Sequence, residues 1–152
     1  MKLGYACKPE DEAFVAKATG KELRIKSKDA REICAAIQGM KAQAAVSYLE
    51  KVIEKKALVP YKKTKKHSGH KSEMKGWPYG RYPIKASKAI LEVLKSAVSN
   101  AEFKGLNMES CVVKSAISQR GRKMTRMRPK GRYAVYNVHL TSVQIIIEEV
   151  SE

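Results

Sequence analysis

Three segments of the chain repeat apolar residues every three or four positions, which predicts helices. The predicted helices cover about 27–38, 41–56 and 83–104. Gly39 ends the first helix directly before the second begins, so these two should form a helical hairpin, and Pro83 begins the third. The apolar stripes consist of Ile33, Ile37 and Met40, then Ala45, Tyr48, Leu49, Val52 and Ile53, and finally Ala86, Ile90, Leu91, Leu94, Ala97, Val98 and Ala101.

The last third of the chain alternates apolar and polar residues, which predicts β-strands. Two alternating arms lie near 111–118 and 142–148, and residues 22–26 form a shorter strand of the same kind. If the two arms pair as one antiparallel hairpin over 114–143, its outer part reaches roughly 40 Å at ~3.3 Å per residue. The segment 120–132 has almost no apolar cover, so we expect it to become ordered only in an anionic environment.

Together these elements predict an α+β fold. Three helices pack on a small three-stranded antiparallel sheet, from which a long β-hairpin and a basic loop insertion protrude. The length of 152 residues fits a single domain. Within it, we predict an irregular N-terminal arm over 1–21 and place the basic loop insertion at 57–83.

Nearly all of the net charge of +16 lies in two stretches of the chain. Residues 55–85 hold ten Lys and Arg against Glu73 alone, and residues 114–132 hold eight with no acidic residue. The remainder has 13 basic and 14 acidic residues and is almost neutral. Because like charges repel, such stretches indicate a polyanionic partner, bound with a steep salt dependence. A membrane surface is disfavoured, since neither stretch has an apolar helical face.

The side chains of the basic stretches suit RNA in particular. Arginine forks match phosphate, and aromatic rings among cations stack on unpaired bases. Tyr61, Trp77, Tyr79, Tyr82 and Tyr133 lie in or beside these stretches, and Trp77 can either anchor the loop or contact a base or sugar. The predicted RNA-binding residues of the two stretches are Lys62, Lys63, Lys65, Lys66, His67, His70, Lys71, Trp77, Arg81, Tyr82, Lys85, Arg120, Arg122, Lys123 and Arg126.

The sequence contains no pattern typical of an enzyme or a cofactor site. We find no Gly-rich phosphate loop, nucleophile elbow or paired carboxylates. His67 and His70 have H-x-x-H spacing but too few neighbouring ligands for a metal, so neither metal nor cofactor is predicted. The three cysteines form no C-x-x-C pair, which fits reduced thiols. With no membrane-length apolar run and no signal-peptide core, the expected location is the cytoplasm.

Charge alone leaves two alternatives open. The first is a DNA-binding or nucleoid-associated protein, although the chain lacks a helix-turn-helix or a basic recognition helix. The second is a metal-dependent RNA enzyme that uses the two histidines. The basic residues cluster in loops, and this arrangement favours irregular RNA over duplex grooves.

Several blocks of sequence carry a resemblance to a known family. They are Leu-Arg-Ile at 23–25 with Ser-Lys-Asp-Ala-Arg-Glu at 27–32, Gly-Trp-Pro-Tyr-Gly-Arg-Tyr-Pro at 76–83, Lys-Ser-Ala-Val-Ser-Asn-Ala-Glu at 95–102, and Gly-Arg-Lys at 121–123 followed by a Pro-Lys-Gly-Arg tip at 129–132. Through them the chain resembles the universal large-subunit ribosomal protein L22 family in its archaeal form, whose eukaryotic counterpart is L17. The resemblance covers 23–149, and the Trp-Pro loop is typical of the archaeal and eukaryotic branch.

The resemblance implies a structural constituent of the large ribosomal subunit, with one copy per particle and no homo-oligomer. Its implied partners are large-subunit ribosomal RNA, neighbouring ribosomal proteins and the nascent polypeptide. Such a protein binds the RNA, aids its folding and assembly, and lines the peptide exit tunnel with its hairpin tip. The resemblance also implies RNA contacts by Lys28 and Arg31 on the first helix.

The resemblance further implies that the hairpin tip faces the tunnel. Family tips often read Pro-Arg-Ala-x-Gly-Arg, and the tip of this chain is shorter. The implied tunnel-facing residues are Met127, Arg128, Pro129, Lys130, Gly131 and Arg132.

Overall fold

The computed structural model of this chain describes residues 4–7, 12–74, 76–131 and 134–150. Arg132 and Tyr133, and with them one predicted tip residue, lie outside these ranges. The elements in chain order are β1 (Val15–Leu23), α1 (Ser27–Ile37), α2 (Ala42–Ile53), β2 (Val59–Pro60), β3 (Gly80–Arg81), α3 (Ile84–Phe103), β4 (Cys111–Met127) and β5 (Val135–Glu149). The predicted α+β class, with three helices and a three-stranded antiparallel sheet, is confirmed. None of the helices in the described part of the chain could cross a membrane.

The main sheet has the strand order β1-β5-β4, with β5 in the centre and both pairings antiparallel. β4 and β5 pair over their whole length, from Cys111 opposite Glu149 to Met127 opposite Val135. A separate ladder of β2 and β3 closes the basic insertion at its base, where Pro60 lies opposite Gly80. The insertion is therefore a loop between two paired strands.

The three helices cover one face of the main sheet. Fully buried side chains from the three helices and from the sheet meet there, among them Ile37, Leu49, Leu94 and Ile145. Gly39 ends α1 with a positive φ of 83° and donates its N–H to the Val113 carbonyl of β4 at 2.9 Å. The turn between α1 and α2 is thus fixed to the edge of the sheet.

The first strand differs from the sequence prediction. β1 begins at Val15, inside the stretch 1–21 predicted to be irregular, and it ends at Leu23, so the strand predicted at 22–26 is wrong beyond that residue. The face of β1 toward the helices carries Ala16, Ala18 and Gly20, and then Leu23 beyond an irregularity in the pairing. The first three are small residues with low strand propensity, and they give no alternating apolar pattern.

The second face of the main sheet is covered by the N-terminal segment 4–7. Gln144 of β5 accepts a hydrogen bond from the Ala6 N–H at 3.0 Å and donates one to the Gly4 carbonyl at 2.9 Å. Ile146, on the same face, is also buried. The N-terminal segment therefore gives β5 a second covered side.

Two irregularities in β4 determine where the hairpin leaves the core. The first lies between Val113 and Ser115 and turns Ala116 inward, whereas strict alternation from Val113 would place Ile117 there. The second lies between Arg120 and Lys123, and every described residue of β4 from Arg120 onward is exposed. Bulges bend and twist a strand. The outer hairpin thus begins at Arg120.

We expect Gly20→Ala to lower the free energy of unfolding by about 1–3 kcal/mol, the usual cost of overpacking. A methyl group there would lie 2.6 Å from Val93 Cγ2 of α3 and 3.0 Å from Leu23 Cδ1. Urea denaturation followed by circular dichroism measures the change. Gly69→Ala is the matched control, because nothing lies within 4 Å of its new methyl group. Equal stability of the two variants would contradict close packing of β1 on α3.

Candidate nucleic-acid interface

The outer hairpin is a cationic ribbon with one partly apolar face. Arg126 lies opposite Tyr136, with its guanidinium 5.4 Å from the ring centroid, and Met124 lies opposite Val138 on the same face. Beyond the last ladder pair, Met127 and Val135, the Arg128 N–H donates to the Ala134 carbonyl at 3.1 Å. The ribbon has more apolar cover than its sequence indicates, since both strands contribute to it. That the ribbon becomes ordered only in an anionic environment stays a prediction.

A cleft of about 470 Å³ lies between α1 and β4. Lys28 and Arg31, one turn apart on α1, line one side, and Arg120 at the start of the outer hairpin lines the other. All three side chains are exposed. The structure therefore brings together two residues that the family resemblance implies and one that charge patterning predicts.

A second cleft, of about 730 Å³, lies on the other side of Arg120. It also reaches Lys28 and the first turn of α1, where no side chain caps the helix. Free N–H groups at a helix start carry partial positive charge, which adds to the surrounding cations. The other basic and aromatic side chains that line this cleft are Arg24, Lys26, Lys85, Tyr136 and His139.

The basic insertion is attached to α1 through two acidic side chains, one buried and one half-buried. Glu32, only 3% exposed, accepts hydrogen bonds from three consecutive backbone N–H groups, those of Lys62 at 3.0 Å, Lys63 at 3.2 Å and Thr64 at 3.0 Å. One turn earlier, Asp29 accepts a bond from the Tyr61 hydroxyl at 2.8 Å. Burial raises the pKa of Tyr61, and the bond to Asp29 raises it further. One face of α1 thus holds the insertion by its acids, while Lys28 and Arg31 line the cleft.

Trp77 and Arg81, both predicted to bind RNA, hold the insertion together by internal contacts. The Trp77 indole donates to the Tyr61 carbonyl at 3.1 Å, and the Lys65 ammonium lies 4.8 Å from the centroid of the Trp77 ring. Arg81 donates to the His67 carbonyl and lies 5.3 Å from the centroid of the Tyr61 ring. The structure therefore places Trp77 as a loop anchor with one face beside a cation, and Arg81 as a link across the insertion.

The other predicted RNA-binding residues of the insertion are half-buried or exposed. Tyr82 is half-buried and donates to Glu73 at 3.0 Å, while His70 packs edge-on against Tyr79 with ring centroids 5.0 Å apart. Among the predicted RNA-binding residues at 62–85, the exposed cationic or histidine side chains are Lys62, Lys63, Lys65, Lys66, His67, His70, Lys71 and Lys85.

These cations have no counter-ions within the described part of the protein. The four ion pairs found there join Lys17 to Glu12, Lys56 to Glu54, Lys95 to Glu50 and Lys114 to Glu148. None includes a cation of the segments 57–74, 76–85 or 115–131. The hairpin, the clefts and the insertion therefore present uncompensated positive charge that an external polyanion can neutralise.

Sequence reasoning missed four residues that line the second cleft: Arg24, Lys26, Tyr136 and His139. Tyr136 and His139 belong to the return strand, opposite Arg126 and Lys123. The antiparallel pairing of the two strands was predicted. Assigning a residue-by-residue register to the outer hairpin would have placed Tyr136 and His139 beside the predicted cations. The signal for Arg24 and Lys26 is their position immediately before a helix start.

A comparison with protein families decides the relationship. The sequence pattern of the family described as ribosomal protein L22p/L17e matches residues 18–148. The chain belongs to this family. L22p/L17e proteins are structural ribosomal proteins and not enzymes, so the enzyme alternative is excluded.

Curated relatives in the L22p/L17e family match over nearly the full chain. Each of the three described next carries the name large ribosomal subunit protein uL22. The protein of Methanocella arvoryzae is 43% identical over 98% of both chains. That of Archaeoglobus fulgidus is 43% identical over 97% of this chain and 96% of its own, and that of Methanopyrus kandleri is 41% identical over 95% and 94%.

Proposed function

We propose that this L22p/L17e protein is a structural constituent of the large ribosomal subunit that binds large-subunit ribosomal RNA and aids its folding and assembly. The observation that carries this proposal is the convergence of four cationic surfaces on α1 and Arg120. The outer hairpin, the two clefts and the insertion all meet there, and none has internal counter-ions in the described residues.

Arg120 separates the two clefts, so RNA segments in them would lie on either side of the hairpin base. Phosphates of two such segments repel each other, and the intervening cations of Arg120, Lys28 and Arg31 reduce that repulsion. The contacts are mainly to phosphate and therefore position RNA without reading its sequence. Assembly is aided because distant segments can approach one rigid protein surface.

We also propose that the tip of the outer hairpin lines the peptide exit tunnel, as the family resemblance implies. The tip is exposed from Arg128 to Gly131 and lies beyond the last ladder pair, Met127 and Val135. Lys130 and Gly131 both have positive φ, so the chain reverses tightly. A narrow reversal at the end of a long ribbon suits a wall element that projects into a channel.

A double variant, Arg31→Ala with Arg120→Ala, tests the RNA-binding clefts. We expect weaker binding to large-subunit ribosomal RNA and a slope of log K against log salt that is less steep by about one to two, because each phosphate contact contributes about 0.7–0.9. Filter binding over a salt series measures both quantities.

Lys95→Ala is the matched control, since Lys95 lies on α3 and pairs with Glu50 at 3.3 Å. Its salt slope should equal that of the unmodified protein. An unchanged slope for the double variant would contradict phosphate binding in the clefts. Stronger binding of the unmodified protein to duplex DNA than to this RNA would favour the DNA-binding alternative.

A further inference from the structure

The end of the domain farthest from the hairpin tip carries exposed apolar side chains. Phe103 is 94% exposed, Phe14 is 55% exposed and Val150 is 49% exposed. We call this surface the distal end and define it by these three residues with Glu102 and Glu109. Single exposed apolar residues are ordinary, but two phenylalanines and a valine at one end of a small domain indicate a contact surface.

Hydrogen bonds show that these residues share one end of the fold. The Glu149 N–H donates to the Phe14 carbonyl at 3.0 Å, and the Val150 N–H donates to the Ser110 carbonyl, next to Glu109, at 3.3 Å. The Lys104 ammonium, next to Phe103, donates to the carbonyls of Glu12 at 2.9 Å and Val15 at 2.8 Å. The start of β1, the end of α3 and the end of β5 therefore meet at the distal end.

The distal end differs in charge from the outer hairpin, the clefts and the insertion. Glu102 and Glu109 are exposed and form no ion pair among the described residues. The nearby Lys104 ammonium keeps its charge but is turned toward two backbone carbonyls, and Lys17 pairs with Glu12 at 2.6 Å. Glu12, Glu102 and Glu109 therefore outnumber the two ammonium groups. A surface on which carboxylates outnumber cations repels phosphate and attracts cationic side chains.

We propose that the distal end is a docking surface for a basic segment of a neighbouring ribosomal protein. An apolar side chain of that segment packs against Phe103 and Phe14, and its Lys or Arg side chains pair with Glu102 and Glu109. Aromatic residues at the centre of a surface and charges at its rim are typical of protein interfaces. The inference rests on the proposed function, since such a neighbour is present only in an assembled subunit.

Photo-crosslinking in assembled particles tests the docking surface. Benzoylphenylalanine replaces Phe103, large subunits that contain the variant are purified and irradiated, and the adduct is identified by mass spectrometry. We expect a covalent adduct with one basic ribosomal protein. An adduct with RNA, or no adduct in particles that contain the variant, would overturn the proposal.

The same probe at Tyr136, in the second cleft, is the control. It should give an adduct with ribosomal RNA. Its failure would count against RNA binding by the clefts and leave the distal-end result to be judged by itself, so the two proposals fail separately.

Charge reversal tests the role of the carboxylates. In the chain with the probe at Phe103, Glu102→Lys with Glu109→Lys should reduce the adduct per incorporated protein at least fivefold. Glu54→Lys, at the end of α2, should leave the yield unchanged. An equal yield in the charge-reversed variant would refute recognition of a basic partner.

Discussion

Glu32→Ala is expected to detach the start of the basic insertion from α1 and to weaken ribosomal RNA binding at least tenfold. The buried carboxylate accepts three backbone N–H groups, from Lys62, Lys63 and Thr64. Alanine leaves all three donors without a partner, and each unsatisfied buried donor costs about 1–3 kcal/mol. Partial exposure of the segment to water reduces the sum, so we expect a loss of about 3 kcal/mol in the free energy of unfolding.

RNA binding suffers in this variant because the lysines lose a fixed position. In the native protein the bonds to Glu32 hold the backbone at 62–64, and the Lys62 and Lys63 side chains are exposed. A mobile segment must be ordered when RNA binds, and that entropy is subtracted from the affinity. The net charge of the variant is more positive, so simple electrostatics predicts the opposite result. Weaker binding despite added positive charge would therefore identify a positioning role for Glu32.

Three measurements check the prediction for Glu32. Urea denaturation gives the stability, hydrogen exchange reports the amides of residues 62–64, and filter binding gives the affinity for ribosomal RNA. Glu32→Gln should be intermediate, because its amide keeps one acceptor and turns a donor toward the remaining N–H groups. Glu92→Ala removes an exposed acid of α3 and should change neither stability nor exchange. Fast exchange at 62–64 in the unmodified protein would disprove the attachment.

The helices of this protein could be predicted because each buries a stripe that is visible in the sequence. Ile33 and Ile37 on α1, or Ile90 and Leu94 on α3, are spaced by four and are all fully buried. β1 lacked such a signal, since Ala16, Ala18 and Gly20 face inward over most of its length and Gly20 allows α3 to lie close. Periodicity detects large apolar residues, so a strand that packs through alanine and glycine is not visible to it.

The candidate site could be predicted in composition and only partly in arrangement. Charge patterning identified Arg120 and the insertion, because uncompensated charge is a local property of the sequence. The attachment of Thr64 to Glu32 is a contact between residues 32 positions apart. Glutamate is a common helix residue, and nothing local indicates that this one is buried. The shape of the second cleft likewise depends on the bulge between Arg120 and Lys123.

Removal of the outer hairpin is expected to abolish stable incorporation into large subunits while the domain stays folded. In the test variant an Asn-Gly turn replaces 121–140 and joins Arg120 to Thr141, which already face each other in the ladder. Every described residue of β4 beyond Arg120 is exposed, and on the return strand only Leu140 of the removed part is buried. The domain should therefore lose little stability. Circular dichroism during heating measures this.

Incorporation should fall at least tenfold because the variant lacks five described cations that have no internal counter-ions: Arg122, Lys123, Arg126, Arg128 and Lys130. Removal of one phosphate-binding cation makes the salt slope of RNA binding less steep by about 0.7–0.9 and also weakens the affinity. The variant should therefore dissociate from particles at a lower salt concentration than the unmodified protein. Sedimentation of large subunits through a high-salt gradient, followed by quantification of the bound protein, measures incorporation.

A shorter variant separates the arm from the tip. An Asn-Gly turn in place of 128–134 joins Met127 to Val135, which are the last ladder pair, and keeps Arg122, Lys123 and Arg126. This variant should incorporate at close to the normal level, since the arm that we propose to contact RNA is intact. If the variant without the whole outer hairpin sedimented with subunits as well as this one does, the hairpin would have no part in RNA binding. The affinity would then have to come from α1, the insertion and the retained Arg120, that is from Arg31, Arg120 and the residues that Glu32 holds in place.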